Sequence, residues 1–129
     1  MGLQRLEHVN IRTADVAAMT DWYCSVLGMT DGERPPFGVP GAWLYVGEHP
    51  VVHLVGEGTE PEARDPKIEH FAFSATGLEE MIGFLKERAI PYETVRVPGL
   101  GILQINLFDP DGNHIHIDYA PEEADALGL

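Results

Sequence analysis

Six histidines stand in the sequence, His8, His49, His53, His70, His114 and His116, and four of them obey a spacing that chance placement seldom produces. His8 and His70 each follow a glutamate in a strand-like run, Leu6-Glu7-His8-Val9-Asn10-Ile11 and Ile68-Glu69-His70-Phe71-Ala72-Phe73, 62 residues apart. His53 comes 45 residues after His8, and His116 comes 46 residues after His70. A single histidine on a strand is usually a hydrogen-bonded core or surface residue; two repeat-related pairs suggest a metal site. Neutral imidazoles bind borderline ions such as Zn, Fe, Mn or Ni at about 2.0–2.1 Å. The predicted ligands are His8, His53, His70 and His116, holding one divalent ion per site. His49, beside Glu48 and Pro50, reads as a surface turn residue. The role of His114, near the Asp111-Gly112 turn, is left open by the sequence.

The elements that must position these rings repeat as well. After the first strand, Asp15 opens a helical pattern of Val16, Met19, Trp22, Tyr23, Val26 and Leu27 that stops at Gly28; after the second, Leu78 to Arg88 gives another. Strand candidates follow at about 43–46 and 51–55, then at about 92–97, 102–108 and 114–119. The expected order is βαβββ, twice, an α+β fold. Strand side chains alternate between faces, so His114, His116 and Asp118 oppose Ile115, Ile117 and Tyr119. A helix would cover the apolar face, and the polar faces would look into a cleft where the four imidazoles converge.

The chain has 129 residues, 44% hydrophobic and 22% charged, a composition that fits a folded globular protein. A half of about sixty residues makes a poor core alone, so the expectation is one domain over 1–129, with module one about 1–56, a charged connector about 57–67 and module two about 68–129. Eight Lys+Arg against 21 Asp+Glu give a net charge of −13, which repels phosphate backbones and anionic headgroups; neither nucleic acid nor membrane is an expected partner. The lone Cys24 cannot form an internal disulfide and reads as helix core. Arg5, Glu7, Arg12 and Asp15 occupy the region where a secretory signal would be apolar, no stretch reaches transmembrane length, and Leu6 replaces the Ser or Thr of a myristoylation signal, so a cytoplasmic location is expected.

Other chemistries lack motifs. There is no phosphate-binding Gly-rich loop ending in Lys-Ser/Thr, no G-x-G-x-x-G, no H-E-x-x-H and no C-x-x-C. The two serines, Ser25 and Ser74, stand outside any G-x-S-x-G. Asp109-Pro110-Asp111-Gly112-Asn113 is a turn signal that needs only a structural explanation. Trp43 and Tyr45, and Gln104 and Asn106, alternate with apolar residues on strands expected to border the cleft, and are candidate substrate contacts.

Glu7-His8-Val9, Trp22-Tyr23 with Val26-Leu27-Gly28-Met29, Glu69 to Phe73, and Phe108 to Asn113 through Asp118 together resemble the vicinal oxygen chelate superfamily of glyoxalases, bleomycin-resistance proteins and extradiol dioxygenases. The resemblance runs in order over nearly the whole chain. It implies two βαβββ modules around an incomplete barrel, a metal that chelates two neighbouring oxygens of a small substrate, and a homodimer in which sites lie within one chain or are shared. By position, His8 and His70 match the first-strand ligands, His53 the variable ligand and His116 the last-strand glutamate. That last match is a departure, because a metal-bound imidazole has already committed its lone pair and is a poor proton shuttle. Dioxygenase-like chemistry is therefore narrowly preferred, with a glyoxalase I-like lyase or isomerase, or a metal-free antibiotic-binding protein, as alternatives. The sequence identifies no catalytic residue and no substrate.

Overall fold

The computed structural model describes residues 1–2, 4–59 and 66–129. Glu60, Pro61, Glu62 and Asp65 of the expected connector lie outside the described residues. The chain divides into two compact units, Met1–Glu62 with Asp109–Asp111, and Ala63–Phe108 with Gly112–Leu129. No helix of the described residues is long and apolar enough to cross a membrane.

In the first unit the order is β1 (Val9–Arg12), α1 (Val16–Ser25), β2 (Thr30–Gly32), β3 (Gly41–Val46) and β4 (His49–Val55). They form one sheet, β1-β4-β3-β2, with β1 parallel to β4 and the other pairs antiparallel. Helix α1 starts where the sequence predicts, because Asp15 Oδ1 accepts the Ala18 N–H at 2.9 Å and satisfies a donor that the first turn leaves free. Gly28, at φ +70°, takes the left-handed conformation that turns the chain after the helix. Met19 and Tyr23 on α1 are fully buried, as are Leu44, Val52 and Leu54 on the sheet. Tyr23 also donates its hydroxyl to Asp109 Oδ2 at 2.8 Å, while Asp109 Oδ1 accepts the Asp111 N–H. The pairing of β3 with β4 shifts register between Leu44 and Tyr45, so that Tyr45 faces Pro50. Such an irregularity accommodates a residue that has no N–H to give.

The second unit runs β5 (His70–Ser74), α2 (Leu78–Glu87), β6 (Glu93–Arg96), β7 (Leu103–Phe108), β8 (His114–Tyr119) and α3 (Pro121–Ala126). Its sheet order, β5-β8-β7-β6, repeats that of the first, again with the outer first strand parallel to its neighbour. Leu78 and Leu85 of α2 are fully buried, as are Ile105 and Ile115 of the sheet, while Leu107 is all but buried. Truncating one such leucine or isoleucine to Ala costs about 2–5 kcal/mol. The start of α2 has no side-chain cap of its own. Instead Glu123, from α3, accepts the N–H groups of Gly77 and Leu78, each at 2.9 Å.

Three details differ from the sequence reading. Strand β1 begins at Val9, so His8 immediately precedes it. The expected βαβββ order calls for a third strand after α1 that the sequence left unplaced, and Thr30–Gly32 supplies it as β2; the terminal α3 has no counterpart among the expected elements. His49, expected in a turn, opens β4 and is exposed.

Candidate metal centre

In the first unit, the parallel pairing aligns Asn10 with His53, and the antiparallel pairing aligns Trp43 with His53. Three flat rings result. His53 stacks on Trp43 with centroids 4.2 Å apart and on His8 at 3.9 Å, with interplanar angles of 12° and 10°. Both partners lie within van der Waals distance of its ring, so they occupy its two faces. His53 Nε2 lies 2.9 Å from the Pro50 carbonyl oxygen, to which it donates; that fixes the tautomer and leaves the lone pair on Nδ1. Burial, reinforced by His8, holds the His53 pKa below the usual 6.5. Tyr45 spends its hydroxyl on the Glu33 carbonyl, at 2.7 Å.

The second unit brings together His70, His114 and His116. Pairing of β5 with β8 sets His70 against His114, and Ala72 against His116. His70 stacks on His116 at 4.0 Å and 16°, and His114 meets both rings edge-on, at 5.4 and 4.8 Å. One ligand atom from each of the three lies within 4.8 Å of those of the others. His116 is buried and its pKa is pushed down, first by burial and then by His70 and His114.

Glu69 ties the cluster together. Its Oε2 hydrogen-bonds His70 Nδ1 and its Oε1 lies 3.3 Å from His114 Nδ1, while His114 Nε2 is 2.8 Å from Asn106 Oδ1. The hydrogen bond from His70, then that from His114, holds the Glu69 carboxyl below its usual range. The sequence shows a glutamate before both first-strand histidines, yet only Glu69 takes this part. Glu7 instead pairs with Arg5 at 3.7 Å.

The candidate substrate contacts divide. Trp43 touches His53, Asn106 touches His114 and sits opposite His116 in register, and Gln104 sits opposite Asp118 on the same face of the second sheet. The Tyr45 hydroxyl is committed to the backbone of Glu33.

A model of the Glyoxalase/Bleomycin resistance protein/Dioxygenase superfamily matches residues 5–117. The chain belongs to this superfamily. Solved structures with the same fold include a lactoylglutathione lyase from Agrobacterium tumefaciens, 18% identical with a TM-score of 0.70, covering 95% of this chain and 98% of that one. An integron cassette protein from the mobile metagenome of V. cholerae is 24% identical with a TM-score of 0.69, covering 92% and 97%. A glyoxylase/bleomycin resistance protein/dioxygenase domain from Frankia sp. EAN1pec is 17% identical with a TM-score of 0.74, covering 92% and 99%. At these identities the likeness is one of fold. No curated protein matches the chain.

A superfamily metal fits the residues present. Donor atoms bound tetrahedrally at 2.0–2.1 Å stand about 3.4 Å apart, so the widest pair in the His70, His114 and His116 cluster has at most about 1.4 Å to close. Asp118 Oδ1 and Asn106 Nδ2, on the same face, are buried with no hydrogen-bond partner. These three histidines could hold a metal ion.

Proposed function

We propose that the protein is a divalent-metal-dependent enzyme acting on a small substrate that offers two neighbouring oxygens, and that its chemistry is dioxygenase-like. The proposed ligands are His8, His53, His70 and His116, with His114 a further nitrogen beside His70 and His116. A bound ion would supply Lewis acidity and open coordination positions for substrate and dioxygen. The observation that carries the reading is the all-nitrogen donor cluster of His70, His114 and His116.

The residues around it hold the rings and restrict proton transfer. Glu69 orients His70 through Nδ1, which leaves the His70 Nε2 lone pair free to act as a donor. A carboxylate that two imidazoles keep ionised is a weak base, so Glu69 is poorly suited to take a proton from carbon. His116 stands where a glyoxalase-like member would place a carboxylate, which also disfavours isomerisation. Trp43, Gln104 and Asn106 supply a flat apolar surface and two amides for holding a small planar ligand, and Tyr45 braces the strand that carries Trp43. One domain, working as a homodimer in the cytoplasm, completes the proposal.

The test is consumption of dissolved oxygen by the Fe(II)-loaded protein in the presence of catechols, run beside turnover of methylglyoxal hemithioacetal. Oxygen uptake that depends on both metal and catechol supports the reading. Hemithioacetal turnover without oxygen uptake would replace it by a lyase, and ligand binding indifferent to metal removal would replace it by a binding protein.

A further inference from the structure

The geometry points to Arg34 as the binding residue for an anionic group, a carboxylate or its like, on the ligand that lies against the Phe37 and Trp43 rings. The assignment rests on the reading of that face as a substrate site. It concerns only the first unit.

Among the described residues, the lysines and arginines are exposed except for Arg34 and Arg96, which are half-buried. Arg96 is spent on Asp125 Oδ1, at 2.6 Å. Arg34 has no carboxylate partner among the described residues: its Nη1 donates to the Val39 carbonyl at 3.1 Å, and its Nε is buried without a hydrogen-bond partner among them. A half-buried guanidinium left uncompensated is costly, and in a chain of net charge −13 it could readily have been paired with one of many carboxylates. An anion from outside the chain would supply the missing charge.

Its surroundings place it beside the rings. A side chain at Gly41 would meet the Leu54 carbonyl oxygen first and then Arg34 Nη2 at 2.6 Å, so the guanidinium lies against the backbone at Gly41. Gly41 and Trp43 are two residues apart on β3 and point to one face, the face on which Trp43 stacks against His53. Arg34 also lies 5.0 Å from the centre of the Phe37 ring, and Phe37 lies 6.1 Å from Trp43. A continuous wall of Phe37, Trp43, His53 and His8 thus has a cation at its edge. Guanidinium presents paired N–H donors that match a carboxylate, and the exposed ring of Phe37 offers a planar ligand an apolar surface. The ligand class that follows is a planar, carboxylate-bearing molecule.

Benzoate and its uncharged isostere benzamide test this on the metal-free protein, by tryptophan fluorescence and ligand-observed NMR. Wild-type protein should bind benzoate with a millimolar dissociation constant and prefer it to benzamide by about tenfold. Arg34→Gln should make the two ligands equal, Arg34→Lys should keep part of the preference, and metal uptake should be unchanged in both. Equal binding of the two probes by wild type, an unaltered preference in Arg34→Gln, or no benzoate binding at about 10 mM would each overturn the assignment. If Arg34→Gln fails to fold, the wild-type comparison still decides. Failure of the metal reading is seen separately, as wild-type protein that takes up no ion while benzoate still binds.

Discussion

His70 lies face to face with His116, ring centroids 4.0 Å apart and planes 16° from parallel, and His8 repeats the relation with His53 at 3.9 Å and 10°. Stacked imidazoles tolerate each other when neutral and repel when both are charged. The downward pKa shifts of His53 and His116 express this, with burial the larger cause in each. Neutral rings are also the form that binds metal.

Acidification should therefore destabilise the metal-free protein within a defined window. Because the folded-state pKa of His53 and His116 is depressed below 6.5, the unfolded chain takes up protons that the folded chain refuses. Stability is full above about pH 7, falls as pH drops through 6.5, and levels off below the depressed values. Thermal melts between pH 8 and 5 should show the decline, and His53→Asn or His116→Asn should flatten it. A melting temperature constant across that range would remove the basis for neutral stacked rings.

Glu69 is exposed, so replacing it should spare the fold while loosening the rings it holds. Glu69→Gln is expected to weaken metal affinity by about 10–100-fold, the usual effect of losing a carboxylate that orients metal-bound histidines. Competition with a chromogenic chelator measures it. Unchanged affinity would mean that the two hydrogen bonds do not position His70 and His114.

Tyr23 and Asp109 give a stability prediction that is independent of metal. The hydroxyl is buried and hydrogen-bonded to a carboxylate at 2.8 Å; burial first, then Asp109, drives the phenol pKa far above its ordinary value. Tyr23→Phe should lower unfolding free energy by about 1.5–3 kcal/mol, as befits a buried bond to a charged group. Denaturant titration reads this directly, and a loss within experimental error would show that Asp109 is fully satisfied by its other contacts.

Much of this arrangement was legible in the sequence because its signals are periodic. The 62-residue spacing of His8 and His70 announced the duplication, and period-two alternation along 114–119 separated His114, His116 and Asp118 from the buried Ile115, Ile117 and Tyr119. Asp15 and Gly28 bracketed α1 because capping is local chemistry. What escaped depends on tertiary contact. Thr30–Gly32 is short and polar and becomes a strand only by pairing with Trp43 to Tyr45. Helix α3 is six residues long and gains its role through Glu123, whose partners lie 45 and 46 residues earlier. Glu69 and Glu7 look alike in sequence, and only side-chain reach distinguishes the one that bridges two histidines.

Metal content measured on the purified protein tests the central claim most directly. After incubation with Fe(II), Zn(II), Mn(II) or Ni(II) and removal of excess, elemental analysis should find about one divalent ion per chain in wild type, and the double variant His70→Ala/His116→Ala should retain almost none. Wild-type protein that takes up none of the four ions, or a double variant that holds as much metal as wild type, would contradict the account.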